Sequence, residues 1–244
     1  PHEPHYTPER YRRLYPSDYH GPLFDWPYPR RVEESTEEIA EARRNYRALV
    51  SMCDDYLGRV LDVMDAYDMW QDTMLLVLTD HGFLLSEHGW WGKNIMPFYN
   101  EISHIPMFVH DPRNPRPGER SSALTQLIDV APTLLSFFGQ ETPPEVHGSD
   151  IAASIRRGRR DTEAIIFGQF GRHVYCSDGR YIYMRGPAHD WNGPLYEYTV
   201  MPTRMVGYFS RESLRGAELT HLDPDGDGSF SKGVPLLKID VAGP

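Results

Sequence analysis

One short run limits this chain more than any other feature. Thr73-Met74-Leu75-Leu76-Val77-Leu78-Thr79 is apolar without interruption, is of strand length, and is closed by Asp72 and Asp80. A strand with no polar alternation is expected to be central and covered on both faces, as in a sheet with helices packed against it. The residues upstream agree. Ser35 with Glu38 forms a capping box, and an apolar stripe from Ile39 to Met64, including Val50, Cys53 and Val60, follows at helical spacing. That stripe predicts one long helix lying on a sheet, with Cys53 in the packing rather than reactive.

Residues 106–110 form a second strand candidate, and the Pro- and Arg-rich stretch 111–117 a surface loop. Residues 123–138 read as a helix with Asp129 at its start, Pro132 in the first turn and Gly139 as the stop. Strand, helix, strand, helix with buried strands predicts an α/β layered sheet. From about residue 160 the pieces shorten to 164–167, 173–176 and 181–184. Ser177-Asp178-Gly179-Arg180 between the last two is a hairpin signal, so a small antiparallel sheet is expected, continuing at 195–198. The predicted division is therefore 1–160 for the α/β core and 161–244 for a small antiparallel subdomain and tail. Residues 1–32, crowded with Pro, Tyr and Arg, are expected to lie extended over the larger body.

Charge and cysteine content narrow the partners. Lys and Arg number 25 against 35 Asp and Glu, a formal charge of -10, which argues against a broad surface for nucleic acid or acidic lipid. A small anionic substrate stays open. Cys53 and Cys176 are too few for a disulfide framework, and reduced, buried thiols fit the cytoplasm. No run approaches the roughly 18 apolar residues of a membrane span. The opening Pro1-His2-Glu3-Pro4 carries neither an initiator Met nor a signal pattern and reads as a cut or trimmed start, with any secretion signal upstream of it.

The chemistry concentrates just after the apolar run, in Asp80-His81-Gly82 and the loop to Lys93. Open α/β sheets place ligands at the carboxyl ends of their strands. There Asp80 can offer a carboxylate oxygen and His81 a ring nitrogen to a divalent cation, while Gly89 and Gly92 let the chain bring the Lys93 ammonium back beside it. On spacing alone two plainer readings stand alongside: Asp80 as a helix cap and Lys93 as a solvated surface charge. The Trp90-Trp91 pair reads either as a platform for a sugar or aryl ring or as packing under the loop. Glu87 and His88 could line the pocket or support it, and His104 could orient its neighbours. Asp223-Pro224-Asp225-Gly226-Asp227-Gly228 has the alternating acids of a calcium loop, but Val234 stands where that loop needs Glu, which favours an acidic turn.

The stretch from Leu78 to Asn94 resembles the metal-and-anion loop of the sulfatase family, within the alkaline phosphatase superfamily. Three further segments agree in order: Pro1-His2-Glu3-Pro4, Tyr99-Asn100-Glu101-Ile102-Ser103-His104-Ile105-Pro106-Met107, and Leu127-Ile128-Asp129-Val130-Ala131-Pro132-Thr133-Leu134-Leu135 with His147-Gly148-Ser149-Asp150 behind it. The resemblance implies an alkaline-phosphatase-like α/β/α sandwich, present in its second half, and hydrolysis of a sulfate ester. It also implies that Asp80 and His81 ligate a divalent metal, that Lys93 contacts a sulfate oxygen, and that His2 contacts the leaving-group oxygen. Calcium is the expected metal; manganese goes with the alternative, a phosphonate monoester or phosphodiester hydrolase of the same superfamily. The family's formylglycine comes from Cys/Ser-x-Pro-x-Arg, which is not in this sequence; Cys176-Ser177-Asp178-Gly179-Arg180 copies its spacing without the Pro. The chain is thus expected to lack the nucleophile, to be inactive alone, and to have a small sulfated substrate and a separate N-terminal half as partners. A non-catalytic structural or partner-binding module is the alternative from another class.

Overall fold

A computed structural model describes residues 2–25, 28–157, 163–188, 193–204, 207–221, 231 and 233–241. The chain divides into two compact units, Pro1–Pro117 and Gly118–Pro244. The acidic run 223–228 lies outside the described residues.

The first unit is organised by one long helix. A short helix α1 (Glu9–Arg12) and a two-residue strand β1 (Arg30–Arg31) precede α2 (Thr36–Ala66), which starts at Ser35 with both halves of the capping box formed. The N-terminal segment lies along α2 as expected. The Tyr11 hydroxyl donates to Asp55 at 2.6 Å, Tyr15 and Ser51 hydroxyls meet at 2.8 Å, and Arg44 donates to the Tyr15 carbonyl at 3.0 Å. Beyond α2 come β2 (Leu75–Leu78), β3 (Leu84–Leu85), β4 (Trp90–Gly92), the short α3 (Asn100–Ser103) and β5 (Met107–His110). They form two small sheets, β1-β4-β3 and an antiparallel β2-β5 pair with Leu75 opposite His110. The core of the unit joins Leu84, Met96 and Ile102, with Trp90, Phe98 and Tyr99 packed against them.

Two expectations fail here, for one reason. The apolar run is a strand, but it is not covered on both faces: Leu75, Leu76 and Val77 are half-buried, Leu78 is exposed, and Phe108 on β5 is 67% exposed. Cys53 is exposed too, and so are Val50 and Val60 on the same stripe of α2. Periodicity identifies the face a helix or strand would bury, whereas burial needs a partner. Among the described residues β2 has one hydrogen-bonded neighbour, and the later turns of the stripe have little against them.

In the second unit α4 (Val130–Phe137) and α5 (Ile151–Arg157) are tied by two buried side chains. Asp129 accepts from the Gln126 and Ser149 backbone N–H groups at 2.7 and 2.8 Å. The Thr133 hydroxyl donates to the Asp129 carbonyl at 2.6 Å and accepts from the Ile151 N–H at 2.8 Å. This bond pattern starts the helical turn at Leu127, so residues 123–126 are not helical, contrary to expectation. Strands β6 (Ile165–Gly168), β7 (Val174–Ser177) and β8 (Ile182–Arg185) make the expected antiparallel sheet, with the Asp178-Gly179 hairpin between β7 and β8. Cys176 on β7 is half-buried. The sheet does not continue into β9 (Tyr196–Thr199), a further correction. That strand pairs instead with the last strand, in a separate sheet with β10 (Glu218–Thr220) and β11 (Leu236–Asp240), beside the short α6 (Arg211–Arg215).

Candidate active site

The loop that follows β2 is fixed from three sides. Gly82 donates its N–H to the Ile102 carbonyl at 2.8 Å, and a Cβ there would stand 1.8 Å from the Glu101 carbonyl oxygen, so only glycine allows this approach. Arg43 of α2 reaches across to the Leu85 carbonyl and the Ser86 hydroxyl at 2.8 Å and to the Glu87 carboxylate at 3.0 Å. Trp91 is fully buried and donates its indole N–H to Glu34 at 2.7 Å, while the Arg31 guanidinium lies 4.0 Å over the Trp90 ring. The tryptophans are therefore packing. His88 stacks on Tyr99 with ring centroids 3.8 Å apart and meets the Glu101 carboxylate at 3.2 Å. These clamps hold Ser86 and His88 at φ of 83° and 55°, left-handed backbone that such residues keep only when their surroundings impose it.

Asp80 and His81 form one cluster at the end of β2. The His81 ring nitrogen Nδ1 lies 2.9 Å from the Gly82 carbonyl, which can only accept, so Nδ1 carries the proton. Nε2 is left 3.4 Å from the Asp80 carboxylate. Burial works to raise the pKa of Asp80, but the His81 ring, the backbone N–H groups of His81 and of Asp80, and the Thr79 hydroxyl outweigh it and hold the carboxyl below its ordinary value. An ionised carboxylate and a ring nitrogen facing the same space are two donors for a divalent cation. Among the described residues no group of three or more His, Cys, Asp or Glu is placed to hold a metal. Two donors do not complete the six to eight oxygens calcium takes or an octahedral set for manganese, so these residues fit only part of a metal site.

Lys93 belongs to a second cluster. Its ammonium lies 3.4 Å from the Glu3 carboxylate, and the two side chains are only 13% and 8% exposed. His2 meets the same carboxylate oxygen of Glu3, with Nδ1 3.2 Å from it and 2.7 Å from the Glu3 carbonyl, and its side chain is 75% exposed. Burial alone would raise the pKa of Glu3; its own backbone N–H, Lys93 and His2 more than offset that and lower it. The structure thus brings His2 and Lys93 together on Glu3, and Asp80 together with His81, as two separate pairs. Glu3, the hinge of the first pair, was not among the residues that spacing picks out. Its partner lies 90 residues away, and no local pattern reports such a link. Glu87 and His88 support the loop through Arg43 and Glu101. A cavity of about 760 Å³ beside α2, lined by residues including Tyr15, Arg44 and Arg47, contains none of these groups.

A family model described as Sulfatase matches residues 1–140. The chain is 34% identical over 108 residues to an N-acetylglucosamine-6-O-sulfatase of Bacteroides thetaiotaomicron, covering 44% of this chain and 19% of that protein. A solved structure described as a complex with its substrate D-glucosamine-2-N,6-O-disulfate superposes with a TM-score of 0.56 at 25% identity, covering 62% of this chain and 33% of that one. The phosphonate monoester hydrolase of Agrobacterium radiobacter superposes with a TM-score of 0.55 at 20% identity, covering 63% of this chain and 34% of that one, a likeness of fold. The chain thus spans about a fifth to a third of the proteins it matches here.

Proposed function

Because this chain belongs to the sulfatase family, we propose that the protein carrying it is a sulfuric ester hydrolase acting on a small sulfated substrate. The observation that carries the reading is the largely buried Lys93 ammonium, held at the end of a clamped loop with His2 on the same Glu3 carboxylate, inside the stretch that the family model matches. A sulfuryl group gathers negative charge on its peripheral and leaving oxygens as the ester bond breaks, and fixed cations and donors stabilise that charge better than mobile water. In this reading Lys93 takes a peripheral oxygen. His2 keeps Nδ1 toward Glu3 and turns Nε2 to the leaving oxygen, where it donates a proton when the ring is doubly protonated. Its exposure leaves room for the departing alcohol.

Asp80 and His81 are assigned as two ligands of a divalent metal, calcium by preference. When bound, such an ion polarises sulfuryl oxygens. Since two donors do not make the site, no step is assigned to it. The nucleophile is assigned to a formylglycine outside these residues.

The test is hydrolysis by the full-length protein of an aryl sulfate against an aryl phosphonate monoester, after chelation and with calcium or manganese restored. Faster aryl sulfate turnover that falls at least about a hundredfold in Lys93→Ala supports the reading. A preference for the phosphonate ester with manganese gives the site to that reaction. No turnover of either, with the protein folded, makes the chain a non-catalytic module.

A further inference from the structure

We propose that Glu3 sets the charge this site accepts, favouring esters with one negative charge over those with two. The proposal rests on the reading of Lys93 and His2 as substrate contacts. Glu3 places a carboxylate 3.4 Å from the one ammonium of the cluster and 3.2 Å from the imidazole. Both the carboxylate and the ammonium are largely out of water, so little solvent screens their fields. The carboxyl stays ionised there: although burial opposes it, its own backbone N–H, Lys93 and His2 keep its pKa low. The Glu3 carboxylate then cancels the charge of the Lys93 ammonium.

A sulfate monoester brings one charge to such a cluster. A phosphate monoester has nearly the same tetrahedral shape and oxygen positions, but carries two charges above its second ionisation. Shape cannot separate them; charge can. The second charge finds no further cation in this cluster and meets the Glu3 carboxylate, which is tied to both Lys93 and His2. Glu3 is therefore a specificity-determining residue acting through its two neighbours, not a catalytic one.

The experiment uses two inert ligands of equal shape, benzylsulfonate and benzylphosphonate, titrated calorimetrically into the full-length protein above the second ionisation of the phosphonate. Wild type is expected to bind the sulfonate more tightly. Glu3→Gln keeps the size of the side chain but removes its charge, and is expected to improve phosphonate binding about tenfold relative to sulfonate, while Glu3→Asp keeps the wild-type order. A residue of purely structural importance would weaken both ligands alike. The proposal is overturned if the ratio of the two affinities in Glu3→Gln stays within about twofold of wild type, or if Glu3→Asp shifts it equally. Lys93→Ala separates the two levels of the argument. If it leaves sulfonate binding unchanged, the reading of the site itself is wrong; if it abolishes that binding while Glu3→Gln does not move the ratio, only the role of Glu3 falls.

Discussion

The loop from Gly82 to Lys93 and the β2-β5 pair both belong to the first unit, and they are finished to different degrees. Around the loop the polar ends find partners: Arg43 donates to the Leu85 carbonyl, the Ser86 hydroxyl and the Glu87 carboxylate, Glu34 takes Trp91, Glu101 takes His88, and Leu84 and Trp91 are fully buried. The β2-β5 pair, more apolar in sequence, keeps Leu78 and Phe108 at the surface. Apolar content alone does not make a core. What separates the two is the supply of partners: the loop draws its own from α2, β1 and α3, while among the described residues β2 has one edge paired.

The contrast can be broken most sharply at the buried end. Trp91→Ala removes a fully buried ring and an indole bond to Glu34, and is expected to cost about 4 kcal/mol in denaturant unfolding. Gly82→Ala drives a methyl into the Glu101 carbonyl and should cost about 3 kcal/mol, with the loop displaced from α3. Arg43→Met strips three bonds from the loop but leaves its packing; with the guanidinium 41% exposed, a loss of about 1 kcal/mol is expected, read as faster proteolysis or amide exchange at 84–87. Phe108→Ser, an aromatic loss on the exposed strand, should change stability by less than about 0.5 kcal/mol. A large loss there would mean the strand is better covered than its exposure indicates, and would erase the comparison.

Acid sharpens it further. His5 is buried between Tyr46 and Phe83, ring centroids 5.2 Å from each, and burial, only partly opposed by Glu3, holds its pKa below the ordinary 6.5. The unfolded chain takes up a proton near 6.5 that the folded chain resists, so this contribution is present above that pH and drains away as the pH falls below it. Unfolding titrations from neutral to mildly acid pH should show that slope, and His5→Phe should flatten it. An unchanged slope in the variant would assign the effect elsewhere.

What could be read in advance was what is local. The Ser35-Glu38 cap, the start of α4 near Asp129 and the Asp178-Gly179 hairpin each depend on residues a few positions apart, and each is formed. Asp80 and His81 were legible as a pair for the same reason. The exposure of Cys53 was not, because periodicity names a face without naming its cover. Neither was Glu3, whose importance comes from a residue brought to it by the whole intervening chain.

That last feature also bears on how the molecule acquires its site. The contacts that fix the loop span 44 residues for Arg43 with Glu87, 57 for Glu34 with Trp91 and 90 for Glu3 with Lys93, whereas α2 and the hairpins close over a few. Ring closure grows costlier with length, and distant contacts form after near ones have shortened the path. The scaffold should therefore mature first and the Glu3–Lys93 corner last, so that a nascent molecule passes through a stage with its helix wound and its most distant contacts not yet made.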